Sequence, residues 1–123
     1  MVKDIAPPPD GGPSYLTVVG NTLFFVATDG SSNHGYELWK SDGTGPGTNM
    51  FKDINIYGDG SPYGFAAIGT SLYFVATDST SGLELWKSDG VVGGTTVMVK
   101  DINPGSGSGD PSAPVYFNGS LYF

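Results

Sequence analysis

The stretch Glu37-Leu38-Trp39-Lys40-Ser41-Asp42-Gly43 recurs unchanged at residues 84–90, 47 positions later. A second pattern, Leu-Phe-Phe at residues 23–25, returns as Leu-Tyr-Phe at residues 72–74 and again at residues 121–123, at a spacing of 49. A chain that repeats itself at a near-constant period is built from units that bury their apolar surface by stacking on their neighbours. The sequence therefore predicts a repeat architecture.

The composition indicates an all-β protein that is rich in turns. The 123 residues include 20 glycines and 9 prolines, and only 14% of the residues are charged whereas 38% are hydrophobic. This balance is typical of a folded chain rather than a disordered one. No window has the apolar periodicity of a long amphipathic helix, so the repeating unit is expected to consist of strands.

Each unit contains four short β-type runs between turn signals. The first and second runs are joined by Gly20-Asn21, by Gly69-Thr70 and by Asn118-Gly119, pairs that suit two-residue hairpins with positive φ. The runs of the first full unit are residues 15–19, 22–28, 35–41 and 49–54, and those of the second are residues 64–68, 71–77, 83–88 and 96–102.

The second run of each unit is apolar on both faces of the strand, so both faces are expected to be covered. The stacked four-stranded blades of a β-propeller provide such cover, because a middle strand there touches a neighbouring blade on each side. In the third run Trp39 alternates with Leu38 and Lys40, an amphipathic pattern that predicts a strand nearer the outside. Trp39 and Trp86 are expected between blades, with the lysines in solvent.

The repeat count predicts how the chain is divided and how it assembles. Residues 1–14 are expected to form the last strand of a preceding blade plus a linker, residues 15–54 blade one, residues 55–102 blade two, and residues 103–123 the first two strands of a third blade. Propellers close with about four to eight blades, so about 2.5 blades per chain cannot complete a ring. We therefore expect a homo-oligomer, most simply a dimer with about five blades, unless the chain is a fragment of a longer array.

The repeated motif at residues 37–44 and 84–90, together with Gly47-Thr48 and Gly94-Thr95, resembles the ELWxxDGT repeat of bacterial surface and secreted proteins. Val91 departs from that pattern, which has Thr at this position. The resemblance implies long extracellular arrays with a propeller-like arrangement, and it carries no activity onto any residue of this chain.

The charge of the chain narrows the range of partners. Twelve acidic residues against five lysines and no arginine give a formal net charge of −7, which opposes binding to a phosphate backbone, so no nucleic acid partner is expected. Cysteine is absent, which excludes disulfides and thiolate metal sites. No signal peptide is recognisable and no apolar run approaches the about 18 residues of a membrane span, so no membrane partner is expected.

Two loops have oxygen-bearing side chains at spacings that suit Ca²⁺, which takes about six to eight oxygen ligands. The spacing lacks the terminal Glu of an EF-hand, and Asp and Asn also favour turns, so the structural interpretation is preferred and Ca²⁺ is the one cofactor considered. The candidate ligands are Asp101, Asn103 and Asp110 in one loop and Asp53, Asn55 and Asp59 in the other.

Tyr57 and Tyr63 are the candidates for ligand binding, because they lie between units, where exposed tyrosines could stack on sugar rings. No catalytic residue is predicted, since the only histidine, His34, lies in a hairpin tip without a recognisable nucleophile. The favoured function is a non-enzymatic structural or interaction module that self-assembles into a propeller. The alternative is a lectin-like propeller that binds glycans or calcium.

Overall fold

The computed structural model describes residues 1–6, 11–91 and 93–123. Within these residues the secondary structure consists of strands, with no helix. The first sheet contains β1 (Ser14–Val19), β2 (Thr22–Ala27), β3 (Glu37–Ser41) and β4 (Asn49–Lys52), the second sheet contains β5 (Tyr63–Ile68), β6 (Ser71–Ala76), β7 (Glu84–Ser88) and β8 (Thr96–Lys100), and the terminal hairpin contains β9 (Val115–Phe117) and β10 (Ser120–Tyr122).

Each four-stranded sheet is an antiparallel meander with the strand order β1-β2-β3-β4 or β5-β6-β7-β8. This order confirms the prediction of an all-β chain with four-stranded antiparallel sheets. In the terminal hairpin φ is 48° at Asn118 and 80° at Gly119, the two positive values that a type I′ turn requires. Gly20 and Gly69 also have positive φ, so the predicted hairpin positions are turns in the fold.

The strands of the two sheets are paired in the same register, so corresponding residues lie on corresponding faces of the two sheets. Phe25 lies opposite Trp39 in the first sheet, and Phe74 lies opposite Trp86 in the second. Because side chains alternate across a strand, the tryptophan lies on one face and the preceding leucine on the other. We define the tryptophan face by Leu23, Phe25 and Trp39 or by Leu72, Phe74 and Trp86, and the leucine face by Phe24, Val26 and Leu38 or by Tyr73, Val75 and Leu85.

The leucine face of the first sheet packs against the tryptophan face of the second sheet. The buried cluster between them combines Val19, Phe24, Leu38 and Ile54 with Leu72, Phe74, Ala76 and Trp86. Burial of each large apolar side chain is worth about 1.5–3 kcal/mol, so this cluster is the main core of the molecule. Both faces of β2 are buried, as predicted, because the side chains from Phe24 to Ala27 are each no more than 4% exposed.

In the residues that the structure describes, the tryptophan face of the first sheet is covered by the N-terminal segment and not by another sheet. Phe25, Ala27 and Trp39 form a second, smaller cluster against which Ile5 packs. Ile5 precedes Ile54 by 49 residues, and Ile54 packs on the tryptophan face of the second sheet. The N-terminal segment thus lies where a preceding sheet would lie.

The expected strand at the N-terminus does not form in residues 1–6. A strand needs a hydrogen-bonded neighbour, and the sheets pair only their own four strands. Residues 7–10 of the expected linker lie outside the described residues. Lys3 anchors the segment instead, since its Nζ donates to the Thr48 carbonyl oxygen at 2.7 Å.

The prediction of an amphipathic third run is wrong. Glu37 and Leu38 have no exposed surface, and Trp39 is only 5% exposed, because β3 is an inner strand of its sheet. Lys40 does not point freely into solvent; its Nζ lies 5.6 Å from the centroid of the Phe51 ring. Lys87 lies in the same way 5.5 Å from the Tyr73 ring, so each lysine covers an aromatic side chain.

The terminal hairpin is the least covered part of the fold. It corresponds in sequence to β1 and β2, but it is a two-stranded sheet of its own. Its first strand contacts β5, and β5 contacts β1, so the first strands of successive units are neighbours. Leu121 is partly buried, but five other large side chains here are more than half exposed: Val115, Tyr116, Phe117, Tyr122 and Phe123.

Candidate functional site

The glutamate of the repeated motif holds the loop that leads to the next unit. Glu37 Oε2 accepts a hydrogen bond from the Ile54 N–H at 2.7 Å, and Oε1 accepts one from the Gly60 N–H at 2.6 Å. A Cβ on Gly60 would lie 2.6 Å from Glu37 Oε2, so only glycine allows this approach. The loop after β4 is therefore fixed to β3 by a carboxyl group.

Glu84 repeats this arrangement in the second unit. Its Oε2 accepts from the Ile102 N–H at 2.9 Å and its Oε1 from the Gly109 N–H at 2.7 Å. Buried carboxyl groups are costly unless hydrogen-bonded, and both glutamates are fully buried. Nothing in the spacing of the repeated motif indicates this role of the glutamate.

Burial raises the pKa of Glu37 to about 7, and the negative charge of Asp53 adds to the effect. The three backbone N–H groups of Ile54, Asn55 and Gly60 act in the opposite direction because they favour the carboxylate. A perturbed carboxyl is a candidate for acid–base chemistry in general, but this one is closed off from solvent. Its hydrogen bonds indicate a structural role.

The serine, aspartate and glycine of the motif build the turn after β3. Ser41 Oγ lies 2.7 Å from Thr48 Oγ1 and accepts from the Gly43 N–H at 3.0 Å. Asp42 Oδ1 accepts from the Thr44 N–H at 2.9 Å, and its hydrogen bonds with Thr44 lower the pKa of Asp42. Gly43 has a φ of 91°, which glycine adopts without strain. The motif is thus accounted for by folding.

The first predicted calcium loop uses its side chains on its own backbone. Asn55 Nδ2 donates to the Asp59 carbonyl oxygen at 2.9 Å, and Asn55 Oδ1 accepts from the Tyr57 N–H at 3.2 Å. Asp59 Oδ1 accepts from the Tyr36 N–H at 2.5 Å. Asp53 has a buried Oδ1 without a partner among the described residues. Asn55 and Asp59 are therefore occupied as turn formers.

The second loop has the same character. Asn103 Nδ2 donates to the Ser108 carbonyl oxygen at 3.1 Å, and Asp101 has a buried Oδ1 without a described partner. Asp110 is exposed and has a φ of 47°. In the described part of the chain no three Asp, Glu, His or Cys side chains converge to hold a metal ion. The calcium site stays a prediction.

The two tyrosines predicted to bind a ligand do not lie together. Tyr57 is 81% exposed at the tip of its loop. Tyr63, the first residue of β5, lines a groove between the starts of the two sheets. Burial raises the pKa of Tyr63, and the nearby charge of Asp110 acts in the same direction.

The groove beside Tyr63 has a volume of about 300 Å³ and is lined by two further tyrosines, Tyr15 and Tyr36. We call it the tyrosine groove; its other lining residues are Ser14, Val26, Ser61 and Pro62. Sequence reasoning missed Tyr15 and Tyr36, which are far apart in the chain. The signal that could have found them is a difference between the units, because Gly64 and Leu83 occupy the corresponding positions.

His34 is paired with an acidic residue in the loop that joins β2 to β3. Its Nδ1 lies 2.9 Å from Asp29 Oδ2, and this hydrogen bond raises the pKa of His34. The pair closes a loop tip that in the second unit is held by Asp78 and the Thr80 N–H at 2.9 Å. The pair is a local loop contact.

Comparisons of the chain with protein-family models, with curated proteins and with solved structures give no match. Among the described residues there is also no helix with the length and apolar character that crossing a bilayer requires. Functional inference therefore depends on the geometry of the sheets and of the tyrosine groove.

Proposed function

We propose that the chain is a non-enzymatic structural module whose sheets stack head to tail, the leucine face of one on the tryptophan face of the next, and that two or more chains continue this stack into a propeller. The resemblance of its motif to the ELWxxDGT repeats supports a place for this module outside a bacterial cell or on its surface. The neighbouring positions of β1, β5 and β9 support a propeller-like order, in which first strands surround an axis.

The observation that carries the proposal is the core between the two sheets. There Val19 and Phe24 of a leucine face pack with Leu72 and Phe74 of a tryptophan face. The two faces differ, so the contact is heterologous and can be repeated by further sheets. A sheet with the same residues at the same positions is expected to use the same contact.

The terminal hairpin offers a leucine face that no second sheet covers. Phe117 and Tyr122 correspond by the repeat to Val19 and Phe24, and they are 69% and 57% exposed. Exposed apolar side chains in such a group mark an interaction site. A hairpin of two strands is also marginal in isolation, so it gains stability when it packs on another sheet.

The complementary surface lies on the first sheet. An apolar groove of about 290 Å³ opens on its tryptophan face beside Leu23 and Phe25, and Val2 and Ile5 of the N-terminal segment form its other side. Leu23 and Phe25 correspond to Leu72 and Phe74, the residues that receive Val19 and Phe24 in the core between the two sheets. The occupant that fits this groove is the terminal hairpin of a second copy of the chain.

Sedimentation velocity at micromolar concentration tests the proposal. We expect a dimer or larger closed oligomer for the unmodified chain, and a shift to monomer for the double variant Phe117→Ser and Tyr122→Ser. Both side chains are mostly exposed, so the circular dichroism of the variant should not change. Tyr57→Ser is the matched control, because Tyr57 is exposed but lies outside both faces. A folded monomer of the unmodified chain would contradict head-to-tail stacking between chains.

A further inference from the structure

Tyr15 has a strained backbone at the irregularity in the β1–β2 pairing between Ser14 and Thr17. Its φ is 53°, in the left-handed region that a bulky aromatic residue rarely adopts. The corresponding residue of the second unit is Gly64, which has a φ of 64° without strain. The Tyr15 side chain is 55% exposed, so burial compensates little. An exposed, strained residue where the repeat has glycine points to a function outside folding.

Tyr36 and Tyr63 line the same groove, and the backbone of each is hydrogen-bonded or paired with a neighbouring segment. The Tyr36 N–H donates to Asp59 Oδ1 at 2.5 Å, and its carbonyl oxygen accepts from the Ser61 N–H at 3.1 Å. Tyr63 is paired with Val75 in the second sheet. The three tyrosine hydroxyls make no hydrogen bond to another residue of the described chain, so they are available to a ligand.

We propose that the tyrosine groove binds a neutral saccharide. Phenol rings stack on the C–H faces of pyranose rings, and the hydroxyls of the tyrosines, Ser14 and Ser61 can pair with those of a sugar. Within the described part of the chain no charged side chain lines the groove, and the net charge of −7 opposes anionic glycans. A volume of about 300 Å³ is at the lower end for small-ligand sites, which suits one or two sugar rings better than an extended peptide.

The site is independent of the stacking proposed above. All of its lining residues belong to one chain and lie between the starts of β1 and β5. A monomeric chain would therefore contain the complete groove, and loss of self-assembly would leave it intact.

The second unit supplies the variants for the test. Tyr15→Gly, Tyr36→Leu and Tyr63→Ser each introduce the residue that the repeat already uses at a corresponding position, Gly64, Leu83 or Ser14. These variants are therefore compatible with the fold. Tyr57→Ser is the control, since Tyr57 is exposed outside the groove.

The probes are cello-, chito-, manno- and galacto-oligosaccharides, measured by saturation-transfer NMR and calorimetry, with decaproline as the competing peptide ligand. We expect at least one oligosaccharide to bind, the triple variant to bind it about tenfold or more weakly, which corresponds to the loss of about 1.4 kcal/mol, and Tyr57→Ser to bind it unchanged. Tyr15→Gly should weaken binding while it raises the melting temperature.

Three results would overturn the proposal. These are no saturation transfer to any of these sugars at millimolar concentration, sugar binding that survives the triple variant, and binding of decaproline in place of sugar.

Discussion

The two full units contain the same motif in the same register, yet their tryptophan faces have different surroundings. Trp86 packs in the core between the sheets, and its Nε1 donates to the Ala76 carbonyl oxygen at 3.0 Å. Trp39 faces the N-terminal segment, and its buried Nε1 has no partner among the described residues. Identical local sequence thus has different contacts in the two units: a neighbouring sheet covers Trp86 and a chain segment covers Trp39, whereas the Trp86 hydrogen bond is made within its own sheet.

The largest expected difference between the units concerns the two tryptophans. Trp86→Ala should lower the free energy of unfolding by about 3–5 kcal/mol, because it opens a cavity in the main core and removes the hydrogen bond to the Ala76 carbonyl oxygen. Trp39→Ala should lower the free energy of unfolding by clearly less, since Trp39 is covered in part by a single chain segment. Urea unfolding of both variants checks this order, and an equal or larger loss at Trp39 would show that the N-terminal segment replaces a sheet fully.

The next effect concerns the loops that the two glutamates hold. Glu37→Ala and Glu84→Ala should each lower the free energy of unfolding by about 1–3 kcal/mol, because each leaves backbone N–H groups of its loop without their acceptor. Glu37 has three such donors and Glu84 two, so Glu37→Ala should be the more harmful at pH 5. Hydrogen exchange of Gly60 and Gly109 reports each loop separately. Unchanged protection at these amides would contradict the role of the carboxyl groups.

The fold within each unit was predictable because it depends on short-range patterns. The apolar run of Leu23-Phe24-Phe25 and the pair Asn118-Gly119 identify a strand and its turn without knowledge of the rest of the chain. The burial of Glu37 was not predictable in this way. Its donors follow about 20 residues later in the chain, and no hydropathy pattern records such a contact.

The candidate site was predicted only in part. Tyr63 was identified from its place between units, whereas Tyr15 and Tyr36 come together with it only through the packing of β1 beside β5. The N-terminal segment is a second example of a prediction that depended on unknown neighbours. Its sequence favours a strand, but no neighbouring strand among the described residues is placed to pair with it. Contacts between units depend on how the sheets pack in three dimensions, and the sequence pattern does not reveal that packing.

The free energy of unfolding of the wild type should depend on pH through Glu37, and the Glu37→Ala variant should lack this dependence. The folded-state pKa of Glu37 is raised to about 7, so its contribution to stability is fully present below the unfolded pKa near 4.5 and is lost as the pH rises through about 7. The slope from this group is at most about 1.4 kcal/mol per pH unit. Glu37→Ala removes this slope. The difference in the free energy of unfolding between the variant and the wild type should therefore narrow as the pH rises.

An NMR titration of the Glu37 carboxyl carbon gives the direct measurement. A midpoint near 7 agrees with burial as the dominant cause. A midpoint near 4 would mean that the N–H groups of Ile54, Asn55 and Gly60 outweigh burial, and the stability of the wild type would then show no such fall.

The smallest expected effect is a gain in stability at the positive-φ position of the first strands. Tyr15→Gly removes about 1–2 kcal/mol of left-handed strain and adds about 0.5–1 kcal/mol of glycine entropy, for a net stabilisation of up to about 1.5 kcal/mol. Gly64→Ala is the opposite case, because its φ is positive and its Cβ would lie 2.9 Å from Ala113 Cα, so it should lower stability. Thermal unfolding compares the two variants. A destabilised Tyr15→Gly would mean that packing of the Tyr15 ring beside Phe65, 6.3 Å between centroids, accounts for the tyrosine without a ligand.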